Sequence, residues 1–247
     1  MDRMIYLAMS AAQQMMNGQA LTTHNLANAN TVGFKADFEA ARAMPVYGNG
    51  LPTRAYAMLE RPGIDFAPGT IETTGNDLDI AVNGDGFIAV QAPDGSEAYT
   101  RAGDLQLNIN GQLMTGAGRP VFGNGGPIAL PQSQTITIGV DGTISIRPVG
   151  QEASTLAQVD RIKLVNPDVK QLRKGADGLF RLADNTPAAP DATVRITRGA
   201  LERSNVNSVN EMVQLITNSR QYDMAIKAMS TAQQIDTAGA KLLTASN

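Results

Sequence analysis

His24 is the only histidine in the 247-residue chain, and there is no cysteine. A Ser-His-Asp or Cys-His system needs a histidine held between a nucleophile and an orienting acid. His24 sits instead among Thr22, Thr23 and Asn25, at what reads as a helix end, where capping or packing is its expected role. The missing cysteines also exclude disulfides and thiolate metal sites. Asp77, Asp79 and Asp85 lie close to Gly75, Gly84 and Gly86 and could suggest calcium. The EF-hand register fails, however: counted from Asp77, position five is Ala81 and position twelve is Ile88. These carboxylates read as turn residues. Gly84-Asp85-Gly86-Phe87-Ile88-Ala89 fits the loose dinucleotide pattern G-x-G-x-x-A. The chain beyond it is strand-like and breaks at Pro93, so no helix N-terminus is present to receive a phosphate. No P-loop or zinc-binding His pair occurs. A carboxylate pair for glycoside hydrolysis, as in a wall-degrading glycosidase, stays open, because Asp and Glu are plentiful and their spatial separation is not legible.

The net charge is −3 and the two signs are mixed along the chain. With no basic stripe, 4% aromatic residues and no Trp, nucleic acid is not an expected partner. The lack of Cys suits a chain that crosses unfolded into an oxidising compartment. Met4 to Ala12 is moderately apolar, but Gln13, Gln14 and Asn17 come next without a cleavage pattern, so this end is not read as a secretory signal. No run approaches the ~18 apolar residues of a spanning helix, and a helix lying on a membrane would want a Lys/Arg flank that is missing here. Neither cofactor nor metal is expected.

The elements that must carry any function lie at the two ends. From Ser208 to Leu243, steps of four and three from Met212 land on Leu215, Ser219, Tyr222, Ile226 and Met229, with Ile216, Ala225 and Ile235 widening the stripe. This predicts one long amphipathic helix of about 50 Å, started by a Ser208–Glu211 capping box. The N-terminal segment predicts a second, capped by Asp2, with Met1, Ala8, Met15 and Thr22 at one seam position and Met4, Ala11, Gly18 and Asn25 at the other. Between Arg3 and Lys35 there is no Asp, Glu, Lys or Arg. A surface helix normally carries a charged outer face, so a face of Gln, Asn, Ser and Thr reads as one packed by other protein on several sides. The Met residues, concentrated in the two end helices, fit adaptable packing at a repeated contact.

Between the helices, Asn25 to Lys35 predicts a helix end running into an irregular turn, with Gly33 at positive φ or in close approach and Phe34 as anchor. Phe38 to Pro68 interleaves Pro and Gly and admits only short extended pieces, such as Thr53 to Leu59. From Ile71 to about Ile196, short alternating runs are punctuated by Asn83-Gly84-Asp85-Gly86, Asp94-Gly95, Asn110-Gly111 and Asp141-Gly142, the turn chemistry of hairpins. The expected class is α+β: N- and C-terminal helices paired as a coiled-coil-like unit, with an inserted all-β domain, sandwich or small barrel. The expected division is 1–33 N-terminal helix, 34–70 connector, 71–198 β-domain and 199–247 C-terminal helix.

Four stretches resemble the axial proteins of the bacterial flagellum, the rod, hook and hook-associated family. Asn25-Leu26-Ala27-Asn28-Ala29-Asn30-Thr31-Val32-Gly33-Phe34-Lys35 resembles that family's N-terminal signature. Thr74-Gly75-Asn76-Asp77-Leu78-Asp79-Ile80-Ala81-Val82-Asn83-Gly84-Asp85-Gly86-Phe87 is similar to the start of its β-domain. Tyr99-Thr100-Arg101-Ala102-Gly103-Asp104, with Gly111-Gln112-Leu113, continues it. Gly199-Ala200-Leu201-Glu202-Arg203-Ser204-Asn205-Val206-Asn207, with Glu211-Met212-Val213 and Arg220-Gln221-Tyr222, resembles the C-terminal signature. The opening residues, the short connector and the length look most like the proximal-rod members, with distal-rod or hook relatives as the alternative.

The resemblance implies a structural, non-enzymatic subunit that polymerises with copies of itself and other rod proteins into a tube across the periplasm, passing torque to the hook. It implies uncleaved delivery by the flagellar type III export apparatus, and axial helices that line the tube beneath the β-domain. Termini of this kind are expected to order on assembly. With the seam positions, it implies polymer contacts at Met4, Ala8, Ala11, Met15, Gly18, Asn25, Leu26, Asn28, Asn30, Gly33 and Phe34. From the C-terminal half it implies Asn205, Val206, Asn207, Glu211, Met212, Leu215, Ile216, Arg220, Tyr222, Ile226 and Met229.

Overall fold

The computed structural model describes residues 2–39, 41–45, 55–59, 63–148 and 157–245. The chain is α+β, with long helices at its two ends and a β-rich region between them. Two compact units form. One gathers Met1–Ala29, Ala36–Asp65 and Val206–Asn247, and the other Asn30–Lys35 and Phe66–Asn205.

In the helical unit, α1 (Asp2–Ala27) and α2 (Ser208–Ala245) lie against each other. Ala8, Ala12, Thr22 and Asn25 recur at helical spacing on α1 and are buried, as are Ala225 and Ala232 on α2. Small side chains allow the approach: a methyl at Gly18 would stand 3.2 Å from Asn218 Nδ2. The start of α2 falls one residue from the expected cap. Asn207 Oδ1 accepts the N–H groups of Val209 and Asn210 at 3.1 Å each, so Asn207 is the cap and Ser208 the first helical residue. Near that same end of the pair, Asn28 Nδ2 donates to the His24 carbonyl (2.9 Å) and closes α1.

Four short strands come after α1: β1 (Asp37–Phe38), β2 (Ala41–Pro45), β3 (Ala55–Leu59) and β4 (Gly63–Ile64). They pair antiparallel as β1 with β4 and β2 with β3. Thr53 and Arg54, at the start of the expected extended piece, lie outside the described residues.

The β-unit begins with β5 (Ile71–Thr73), β6 (Ile80–Asn83), β7 (Phe87–Gln91), β8 (Glu97–Thr100), β9 (Leu105–Leu107) and β10 (Leu113–Thr115). It continues with β11 (Ser133–Ile138), β12 (Thr143–Pro148), β13 (Ala157–Arg161), β14 (Leu164–Val165), β15 (Leu172–Lys174), β16 (Phe180–Leu182), β17 (Arg195–Arg198) and β18 (Ala200–Glu202). A five-stranded sheet has the order β14-β7-β8-β16-β15 and a three-stranded one the order β11-β12-β13; β5 pairs with β18, β6 with β17, and β9 with β10.

Three of the four Gly-bearing turns close hairpins as their chemistry predicts: β7–β8, β9–β10 and β11–β12. Asn83–Gly86 does not. Instead the chain changes sheet there, β6 pairing with β17 and β7 with β8 and β14. Gly84 and Gly86, at φ +69° and +131°, supply the sharper bend that this change needs.

Alternation along β6 and β7 builds the core. Ile80, Val82, Ile88 and Val90 enter one apolar cluster with Leu113, Ile128, Ile144 and Ile196. Phe87, one residue out of that register, turns to the other face. There its ring meets Phe66 at 6.0 Å and Phe180 at 5.5 Å between centroids. Tyr99 is buried nearby; its oxygen accepts the Ala188 N–H at 2.6 Å, and burial pushes its hydroxyl pKa up to about 12.

Candidate assembly interface and chain neck

The residues expected at the interface fall into both units. In the helical unit Ala8 is buried and Ala11, Met15 and Gly18 are half-buried on the α1 side that meets α2; Leu215, Tyr222 and Met229 are half-buried on α2. The Met4 side chain lies outside the described residues. Leu26, Asn28, Val206 and Glu211 are half-buried, whereas Asn207, Met212, Ile216, Arg220 and Ile226 stay exposed.

Asn25 ties this unit together. It is 2% exposed, its Nδ2 donates to the Asp37 carbonyl (2.8 Å) and to Glu211 Oε1 (3.3 Å), and its Oδ1 accepts the Asp37 N–H (3.0 Å). One amide thus joins α1, β1 and α2, the full use of donors and acceptor that a buried Asn needs. His24 Nδ1 lies 3.1 Å from Asp37 Oδ2.

Each helix also carries apolar side chains on its outer side. On α1, Tyr6, Met9 and Met16 are 58%, 53% and 51% exposed, at the three- and four-residue spacing of one face. On α2, Val209, Met212, Val213, Ile216 and Met224 are exposed, roughly opposite the Leu215–Tyr222–Met229 side. A helix that has spent one apolar face on its partner and keeps a second outside has surface to bury against further protein.

Asn30, Gly33, Phe34 and Asn205 belong to the β-unit. There Glu202, 1% exposed, sits in the middle of a neck where separate passes of the chain meet. Lys35 Nζ lies 2.7 Å from Glu202 Oε1 and donates to the Ala67 carbonyl (2.8 Å). Arg101 Nη1 lies 3.0 Å from Glu202 Oε2, Nη2 donates to the Gly84 carbonyl (2.7 Å), and the guanidinium stands 5.3 Å from the Phe87 ring centroid. The backbone completes the knot. Gly69 N–H donates to Glu202 Oε1 (3.0 Å), Gly33 N–H to the Glu202 carbonyl (2.8 Å), and Asn205 Nδ2 to the Ala67 carbonyl (3.1 Å). Gly33 has φ +66°, and a side chain there would collide with the Arg101 backbone, so both features expected of it are required. Lys174 Nζ caps the segment, 3.9 Å from the Phe34 ring centroid and 2.9 Å from the Lys35 carbonyl.

Burial works to raise the Glu202 carboxyl, but hydrogen bonds from Lys35 and Gly69 and the charges of Arg101 and Lys35 outweigh it and hold the group below the usual carboxylate range. Asp104 goes the other way. Burial raises it, the Asp79 carboxylate adds to the effect, and its Oδ1 has no hydrogen-bond partner. Asp79 itself accepts the Thr74 hydroxyl (2.6 Å) and Asn76 Nδ2 (3.0 Å), the local turn bonding expected of it. Among the described residues, no group of three or more His, Asp or Glu is placed to hold a metal. No helix among them is long and apolar enough to cross a membrane.

Lys35, Arg101 and Glu202 lie within three of the family-like motifs, yet residue spacing does not join them. The signal in the sequence is a charged residue on the inward register of a strand: Ala200 and Glu202 alternate on the same buried side of β18.

Comparison with known families matches three segments of the chain. Residues 5–35 match the family described as flagella basal body rod protein, 81–146 the flagellar hook protein FlgE/F/G D1 domain, and 197–242 the flagellar basal body rod FlgEFG protein C-terminal region. A β-body carried between two end helices, with these three segments in this order, defines an axial protein of the flagellar rod and hook. The flagellar basal-body rod protein FlgF of Escherichia coli (strain K12) is 46% identical over 97% of this chain and 96% of its own length. That of Salmonella typhimurium (strain LT2) is 43% identical over 100% of both. The basal-body rod protein FlgG of Bacillus subtilis (strain 168) is 31% identical over 95% of this chain and 97% of its own length. The chain belongs to the flagellar basal-body rod protein family, among its FlgF-like members, and is a structural rod protein.

Proposed function

We propose that this rod protein polymerises through the outer sides of its two end helices, copy against copy and against other rod proteins, into a tube that crosses the periplasm and passes torque to the hook. The observation that carries this reading is the second apolar side of each helix: Tyr6, Met9 and Met16 on α1, and Val209, Met212, Val213 and Ile216 on α2. Beyond Arg3, α1 carries no Asp, Glu, Lys or Arg, which favours burial against protein without stranding a charge. A contact repeated by a screw operation, with different patches meeting, gives a filament and not a closed ring.

On this reading the two helices act as a coiled-coil-like pair, the β-body is a sandwich or small barrel serving as scaffold, and the chain is delivered uncleaved by the type III export apparatus. The role is structural and not catalytic, in keeping with relatives named as rod proteins. The test is a chain lacking residues 2–29, which keeps Asn30–Lys35 for the neck. Its β-body should stay folded by circular dichroism while incorporation into purified basal bodies is lost. Normal incorporation would overturn the proposal.

A further inference from the structure

With no cysteine in the chain, methionine sulfur is the first side-chain atom available to a two-electron oxidant. Among the described residues, the exposed methionines all lie on the two end helices. Met9 and Met16 stand on the outer side of α1 and Met212 and Met224 on the outer side of α2, between 48% and 60% exposed. By contrast Met15 and Met229, which turn toward the helix–helix contact, and Met114 in the β-body are half-buried.

We propose that Met9, Met16, Met212 and Met224 form a reversible oxidation site that decides whether the free subunit can assemble. The proposal rests on the assembly reading above. A hypohalous acid or hydroperoxide transfers one oxygen to the thioether. The sulfur supplies the electron pair of the new S–O bond; with hypochlorous acid the O–Cl bond breaks and chloride and a proton leave, and with a hydroperoxide the O–O bond breaks and an alcohol or water leaves. The product is a polar, chiral sulfoxide in place of a soft apolar group. Its oxygen must lose water when the face is buried, which costs affinity at each contact that offers no donor. Assembly in turn covers the four sulfurs, so the sensitive interval lies between delivery and incorporation. Methionine sulfoxide reductases undo the change.

The test treats the full-length chain with limiting hypochlorous acid and reads oxidation at each methionine by peptide mass spectrometry. Met9, Met16, Met212 and Met224 should be oxidised before Met15, Met114 and Met229; the reverse order, or equal reactivity, would overturn the proposal whatever the chain assembles into. The same samples give two further readouts. Binding of an apolar fluorescent dye to the unassembled chain should fall, and self-association should drop about tenfold or more, with both restored by reductase. A variant with Leu at all four positions conserves volume and should self-associate equally well before and after treatment. Loss of association in that variant on oxidation would place the sensitive residues elsewhere and sink the proposal. Failure of the untreated chain to associate would count against the assembly reading, while the oxidation order and dye binding would still judge the site.

Discussion

Lys35 and Glu202, 167 positions apart in the chain, meet as a 2.7 Å ion pair whose side chains are 1% and 2% exposed. Burying two charges is costly unless the remaining donors and acceptors are also met. Here they are, by the Ala67 carbonyl, Gly69 N–H and Arg101. We predict that Glu202→Gln, which leaves two cations facing a neutral amide, costs roughly 3–5 kcal/mol in urea unfolding of the full chain. A loss under about 1 kcal/mol would mean the neck is held by its backbone bonds alone.

The same carboxylate sets an acid response. Its folded-state pKa is held below its ordinary 4.5, so it contributes stability above that ordinary value and loses it as pH falls through the folded one. The wild-type β-body should therefore weaken below about pH 4.5, and Glu202→Gln should remove part of that slope. Parallel wild-type and variant curves would show that other carboxylates account for it.

Asp104 predicts the opposite sign. Its carboxyl is raised by burial and by Asp79, so the ionised form present at neutral pH costs stability that protonation returns. Asp104→Asn should raise the melting temperature at pH 7 and should lose that advantage on acidification. A variant less stable than wild type at pH 7 would contradict this account.

Gly33→Ala should release the Asn30–Lys35 segment, because the new methyl meets the Arg101 backbone at a φ of +66° that Ala resists. Limited proteolysis should cut the variant within residues 30–35 at least tenfold faster. Unchanged cleavage would show that the neck can shift to admit a side chain.

Asn25→Ala removes its bonds to the Asp37 N–H and carbonyl and to Glu211 in the helical unit. A loss of about 2–3 kcal/mol is expected, read by hydrogen exchange of the α1 amides. Protection equal to wild type would mean that apolar packing alone fixes the pair.

Much of this organisation can be read from residue spacing. The helices come from three- and four-residue recurrence, and the Asp94-Gly95, Asn110-Gly111 and Asp141-Gly142 turns announce hairpins because their strands are neighbours in sequence. Asn83–Gly86 misleads for the same reason: its dipeptides specify a bend, but pairing of β6 with the distant β17 is decided by core packing. The Lys35–Glu202–Arg101 cluster stays hidden because ion pairs across 101 and 167 positions leave no local period. The second apolar side of α2 merges into one broad stripe, since a periodicity reading sums faces that the helix keeps apart.

The chain passes between its two units four times, after Ala29, Lys35, Asp65 and Asn205, and three of the segments involved are laced to one another around Glu202. Within the β-unit, three segments that share one carboxylate hold each other in place, so none of them can peel away without breaking bonds to the other two.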